Sequence, residues 1–214
     1  VLGRAAVALW YDVPPQAREE WEDWHTHEHM PERLAIPGFL RGTRWVSGSD
    51  FFGLYEAKSL ATLTTGAYMQ SLNNPTPWSR KMMPHHHHMV RSLCRVRASV
   101  GIGVSGFIAT VRFSPPKRHR GAIMKSLAEK MQALPARRGL SGAHLLQSQA
   151  KEETAEERIR GGDASADCVL LVNGYDEATV RMFIEGEIAP QLPGAICAFY
   201  RLAFSLSGKP DRVR

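Results

Sequence analysis

The run PGFLRGTRW at residues 37–45 returns in altered form as RGLSGAHLL at 138–146, and this recurrence decides how the chain is read. In each run a glycine leads an alternating strand that follows a helical segment, so the two occupy equivalent places in a repeated unit. Outward from the first run, RAAVALWYDV at 4–13 reads as a strand and 16–35 as a helix. Strands follow at 38–47 and 51–58 about the turn-forming Gly48-Ser49-Asp50. A second helix is expected over 59–72, Asn73-Asn74-Pro75-Thr76-Pro77 breaks regular structure, and 91–100 alternates as a strand. Outward from the second run, 107–113 is a strand and 117–134 a helix with Ile123, Leu127, Met131 and Leu134 at helical spacing. Strands at 140–148 and 168–175, a helix over 176–189 and a strand over 196–206 complete the same βαββαβ order.

That order is the ferredoxin-like motif, an antiparallel sheet with both helices on one face. The bare face of each sheet must be covered. The fold class expected is therefore α+β, two tandem ferredoxin-like repeats forming an intrachain, pseudo-dimeric α+β barrel, with a ligand-sized cavity between the sheets. Two units side by side, each covered separately, is the alternative arrangement. Gly101, Gly103 and Gly106 punctuate the join, which divides the chain into repeats at 1–103 and 104–214. The charged stretch 149–166, which contains Gly161-Gly162, reads as an exposed excursion between two strands of the second repeat.

Composition narrows the function classes. The 214 residues are 43% hydrophobic with a formal charge of +6, which excludes a disordered chain. The charge is spread along both repeats without a dense basic stripe, so no nucleic-acid partner is expected. No apolar window has the ~18 residues of a membrane span and no signal pattern opens the chain, so no membrane partner and a cytoplasmic location are expected. Cys94, Cys168 and Cys197 lie in apolar runs without C-x-x-C spacing and read as buried free thiols. Gly101-x-Gly103-x-x-Gly106 precedes a strand, not a helix, so the dinucleotide logic fails. Neither GFLRGTRW nor FFGLYEAK matches the K/R-G-F/Y-G/A-F-V-x-F/Y strand of an RNA-recognition domain, and no G-x-S-x-G occurs.

The chemistry concentrates at 21–33. Trp21, Trp24, His25 and Glu28 share a helix face, and His25 lies four residues before His29, so one turn offers two imidazoles beside a carboxylate. Pro31 cannot donate to a preceding carbonyl and is expected to kink or stop the helix. All five Trp and seven of the nine His lie in the first repeat, while the equivalent helix at 119–135 lacks the cluster. The shared fold therefore did not require it.

The run WHTHEHMPERLAIPGFLRGTRW at 24–45 resembles the helix-to-strand signature of EthD-like proteins of the dimeric α/β-barrel superfamily, and NNPTPWSRKMMP followed by RSLCRV is similar to two-repeat members of that group. The resemblance matches the family's His-Pro region to His29 through Pro31, and its following acidic and basic pair to Glu32 and Arg33. The second repeat departs from the signature, so one site per chain is implied. The superfamily spans cofactor-free monooxygenases, lactone isomerases, haem enzymes and proteins without known activity, so the resemblance names a fold more sharply than a reaction.

Histidine suits proton transfer near neutral pH. His29 is expected as acid/base, His25 as its second, and Glu28 or Glu32 as the carboxylate that orients a ring. Arg33, Arg41 or Arg44 would hold an anionic or enolic oxygen, and Trp10, Tyr11, Trp24 and Trp45 would wall an aromatic substrate. The function expected is a cofactor-independent isomerase, cyclase or monooxygenase acting on an aromatic or polyketide-like small molecule. The alternatives are a non-catalytic ligand-binding or stress-associated protein, or a protein with His-ligated haem or divalent metal. His85-His86-His87-His88 beside Pro84 reads as an exposed loop with incidental metal affinity. Internal pairing of the repeats removes the need for a homodimer without forbidding one.

Overall fold

Strand alternation in this chain produces two sheets that share their edges. The computed structural model describes residues 1–149 and 153–208. The first repeat contributes β1 (Ala5–Asp12), β2 (Phe39–Ser47), β3 (Asp50–Ala57) and β4 (His87–Val100), and the second β5 (Phe107–Phe113), β6 (Leu140–Gln149), β7 (Cys168–Gly174) and β8 (Ile196–Ser207). All neighbours are antiparallel, in the order β1-β3-β2-β8-β5-β7-β6-β4, and β4 closes the barrel onto β1. The repeats meet along two ladders, β2 with β8 (Arg44 opposite Phe204) and β4 with β6 (Cys94 opposite Ser148). Each repeat thus covers the other's edges as well as its bare face, and among the described residues no strand edge is left open.

The recurring glycine explains the matched turns into β2 and β6. Gly38 and Gly139 take φ of 94° and 88°, and a Cβ at either would meet a threonine side chain at 2.7 Å, Thr62 in one repeat and Thr179 in the other. The carbonyl of Gly38 accepts from the Lys58 amide (2.8 Å) and that of Gly139 from Tyr175 (2.9 Å), so both repeats lock the start of their second strand to the end of their third. Only glycine fits both the backbone and the space.

Period-two alternation sorts side chains between barrel interior and outer faces. Ala6, Ala8 and Trp10, with Phe52, Leu54, Trp45, Ile108, Val169, Leu171 and Tyr200, fill the interior. Trp10 Nε1 donates to Thr110 Oγ1 across the barrel (3.1 Å), and the Phe52 and Tyr200 rings lie 5.9 Å apart. The expected hollow between the sheets is corrected here: side chains of both repeats pack into that space, and the polar helix lies outside the barrel. On the second repeat's outer face, α5 (Lys117–Met131) and α7 (Glu177–Phe183) seal an apolar layer of Val111, Leu127, Met131, Val180 and Phe183.

On the first repeat's outer face lies a rod made of α1 (Arg18–Trp24), a π-helical turn over His25–His29 and α2 (Met30–Ala35). Pro31 neither stops nor breaks it. The Met30 amide bonds the His25 carbonyl five residues back, and Thr26 Oγ1 donates to the Glu22 carbonyl (2.6 Å). The widened turn absorbs the bond that proline cannot make. The stretch read as one helix over 59–72 is a 3-10 turn at Leu60–Thr64 followed by α3 (Gly66–Asn73). After the expected break comes α4 (Pro77–Met82), capped by Thr76 Oγ1 accepting from the Ser79 amide.

Two further readings are corrected. The charged stretch 149–166, of which residues 150–152 lie outside the described residues, is not an exposed excursion. It folds back over the first repeat as α6 (Ala155–Ile159), with Thr154, Glu156 and Glu157 buried. The Ala155 amide donates to Asn73 Oδ1 (3.0 Å), and Ala164 bridges to Val90, exchanging bonds with the Arg91 amide (2.9 Å) and the Met89 carbonyl (3.0 Å). Glu156 is buried because it pairs with the buried Arg33 of the first repeat, and Arg160 pairs with Asp163 within the stretch. Likewise His85–His88 is not one exposed loop: His86 is buried, and His87 and His88 open β4. Cys94 and Cys168 are buried free thiols and Cys197 is half-buried. Among the described residues no helix is long and apolar enough to cross a membrane.

Candidate functional site

The rod lays its apolar stripe on the outer face of β1 and β3, and the site grows from what that stripe carries. Trp21 and Trp24 are fully buried against Tyr11, Phe51, Met82 and Met83. One and two turns on, the same stripe delivers His25, His29 and Arg33 over Tyr55, which points outward from β3 because Leu54 and Glu56 point inward. The ring centroids of His25 and His29 are 5.5 Å apart, and His29 lies 4.6 Å from Trp24.

His86, placed by the turn before β4, joins them, and three imidazoles therefore occupy one end of this face. Their hydrogen bonds distinguish them. Arg44 Nη1 donates to His25 Nδ1 (3.4 Å), so the neutral ring carries its proton on Nε2 and donates it to the Tyr55 hydroxyl oxygen (3.2 Å). Trp21 Nε1 donates to His86 Nε2 (3.2 Å), so His86 Nδ1 donates to the Met83 carbonyl (3.1 Å). Both nitrogens of these two rings are committed. His29 Nδ1, by contrast, is buried without a hydrogen-bond partner among the described residues.

All three rings are held neutral. Burial foremost, then the Arg44 charge, keeps His25 well below its usual 6.5. Burial and then Arg33 do the same to His29, and burial followed by Arg160 brings His86 down to about 3. Burial raises the Tyr55 hydroxyl well above its usual range, so it stays protonated. Since it already accepts from His25, its own proton is left to donate.

His29, His86 and Tyr55 open on a narrow pocket between the rod and the sheet, with a cavity volume of about 30 Å³. Val7, Leu9, Phe39, Leu72, Met83 and Met89 supply apolar walls, while His29, Tyr55, Tyr68 and Arg91 supply polar corners. The rim comes from both repeats. Arg33, with a side chain 5% exposed, bonds Ser71 Oγ and Glu156 of α6, and lies 3.5 Å from Glu32. Arg160 bonds Asp163 at 2.6 and 3.0 Å. Among the described residues no group of three or more His, Cys, Asp or Glu side chains converges as a metal site.

The structure brings together His25, His29, Trp24 and Arg33 from the expected set, with Tyr11 one ring away beside His86 (4.7 Å). It does not bring the others. Glu28 accepts from Thr76 Oγ1 (2.5 Å), Trp24 Nε1 (3.2 Å) and Ser79 Oγ (3.4 Å), so its carboxylate ties the rod to α4 and does not orient an imidazole. Trp10 and Trp45 point into the barrel, on the far side of the sheet. Arg41 is bound to Glu56 (2.7 Å) and to the Ile102 carbonyl (3.2 Å), also away from the pocket. Sequence reasoning missed Tyr55, Tyr68, His86, Arg91, Glu156 and Arg160. Arg91 and Tyr55 were within reach of strict alternation, since both occupy outward positions on strands whose outer face had to meet the helix.

The fold is one of known shape. An anthrone oxidase-like protein superposes with a TM-score of 0.67 at 10% identity, over 96% of this chain and 93% of that one. A putative monooxygenase from Fusobacterium nucleatum gives 0.64 at 6% identity, over 97% and 96%. A heme-degrading enzyme from Listeria monocytogenes gives 0.53 at 7%, over 92% and 99%. No protein-family model and no curated protein sequence matches the chain. At these identities the likeness establishes the dimeric α/β-barrel fold, here closed within a single chain.

Proposed function

We propose that the pocket at His29 binds a small aromatic or polyketide-like molecule and that His29 removes a proton from it, as the opening step of a cofactor-independent isomerisation, cyclisation or oxygenation. The observation that carries the reading is the division of labour among the three imidazoles: His25 and His86 spend both nitrogens on structure, and His29 alone keeps one uncommitted. A general base needs such a nitrogen in a dry site. The run at 24–45 supports an EthD-like assignment within the superfamily, and the anthrone oxidase-like and monooxygenase neighbours support a small-molecule enzyme.

The electrostatics suit that step. Burial first, and then the neighbouring Arg33 charge, keeps His29 unprotonated and able to accept a proton. Transfer of a C–H proton alpha to a carbonyl puts the proton on His29 and leaves the electron pair as an enolate. The imidazolium and the enolate then stabilise each other. In an oxygenation, dioxygen would be the oxidant of that enolate. In an isomerisation the proton returns to another carbon.

The test is exchange of the alpha protons of 1-tetralone in D2O, followed by NMR. Wild-type protein is expected to catalyse exchange and His29→Ala to lose about 10²- to 10⁴-fold. The acid limb of the rate profile is expected well below pH 6.5, because the base is already unprotonated there. Ligand binding with exchange unchanged in His29→Ala would leave a ligand-binding protein and no catalyst.

A further inference from the structure

Arg91 is a polar group of the pocket that the proposed step does not use. It points outward from β4, its backbone is pinned to Ala164 of the second repeat, and it is 3% exposed. Its Nη2 donates to the Tyr68 hydroxyl (3.0 Å), while Nη1 is buried with no hydrogen-bond partner among the described residues. Tyr68 accepts that bond and keeps a proton to give. A guanidinium stays charged, and a buried donor left unfilled is costly, so the geometry calls for an acceptor supplied from outside the chain.

The surrounding charges say what kind of acceptor. Arg33 is bonded by Glu156 and neighboured by Glu32, and Arg160 is bonded by Asp163, whose amide donates to Glu157 Oε1 (3.2 Å). The three guanidiniums of the pocket and its rim therefore face at least as many carboxylates. A ligand entering with its own full negative charge finds no surplus of positive charge, whereas a neutral oxygen finds two donors.

We propose that Arg91 and Tyr68 form an oxygen-binding corner that takes the carbonyl of an uncharged ligand and discriminates against a carboxylate of the same size. The proposal rests on the reading that this pocket binds a small ring compound. If His29 removes the alpha proton, the same two donors hold the oxygen on which the enolate charge collects, and charge is conserved within the pocket because His29 gains what the ligand loses.

Three probes of matched size test it by quenching of tryptophan fluorescence: 1-tetralone, tetralin, which lacks the carbonyl, and 1-naphthoate. Wild-type protein is expected to bind tetralone about ten- to a hundredfold more tightly than tetralin, the worth of a hydrogen bond to a charged group. Naphthoate is expected to bind more weakly than tetralone. Arg91→Met is expected to bring tetralone down to the tetralin level and leave tetralin unchanged. Equal binding of tetralone and tetralin by wild-type protein overturns the oxygen corner, and tighter binding of naphthoate overturns its charge preference; neither comparison needs a variant that folds. Those results leave the His29 reading standing if tetralone still exchanges its protons. No saturable binding by any probe overturns both.

Discussion

The turn over His25–His29 and the turn over Ile184–Ile188 share a backbone and differ in side chains. Each is a single π-helical turn, each closes with an amide bonding a carbonyl five residues back, and each is followed two residues later by a proline, Pro31 or Pro190. In the first repeat the turn presents His29 to a pocket. In the second it presents Ile184 and Ile188 to a closed apolar layer. The widened turn is thus a response to proline, and the chemistry is a choice of side chains laid upon it. The same contrast extends across the two outer faces: Tyr55, Arg33 and Arg91 line one, and Val111, Leu170 and Phe183 fill the other. The second repeat packs this face with apolar side chains alone, so the polar groups set among the apolar ones of the first call for a functional account.

The strongest way to break this comparison is to damage the apolar face and ask whether the polar one notices. Phe183 is 2% exposed within the second repeat's layer. Phe183→Ala is expected to lower unfolding stability by about 4 kcal/mol in urea denaturation, from lost burial and the cavity left behind. Affinity for 1-tetralone should be unchanged under conditions where the variant is folded. A parallel loss of affinity would mean that the second repeat's layer shapes the pocket, and the two faces would not be independent.

A smaller effect sharpens the one place where the repeats cooperate. The Arg33–Glu156 bond joins the rod of the first repeat to α6 of the second and holds the stretch that carries Arg160 and Ala164. Glu156→Gln weakens a charge-assisted bond without emptying its place, a cost of about 2 kcal/mol. Native-state hydrogen exchange at the Arg91 and Ala164 amides should quicken by about 30-fold, while β5 and β7 amides of the second repeat stay protected. Uniform acceleration across both repeats would show that this stretch is part of the global fold and not a separately opening cover.

These contrasts also show what could be read from the chain. The short apolar runs of β1, β3, β5 and β7 and the glycines at 38 and 139 carry the barrel, because strand formation and a left-handed turn are local properties. The rod and its imidazoles were legible for the same reason. The burial of Glu156 was not: it looks solvated until Arg33, more than a hundred residues away, is folded against it. His86 is hidden in a run of four identical residues, of which only the turn at Met83 and the indole of Trp21 select one. Assigning Trp10 and Trp45 to the ligand's walls followed from placing the working space inside the barrel, whereas the helix packs against the other side of the same strands.

The smallest expected effect bears on that last distinction. Thr110 is fully buried in β5 and its hydroxyl accepts the Trp10 indole proton from across the barrel. Thr110→Val keeps the volume and removes the acceptor, leaving a buried N–H unpartnered at a cost of about 1 kcal/mol. Denaturation should register that loss, and because Trp10 and His29 lie on opposite sides of the sheet, the tetralone affinity should not move. A shift in affinity comparable to the loss in stability would place the ligand among the interior aromatics. The imidazoles would then be structural, and the contrast between the two outer faces would be one of packing alone.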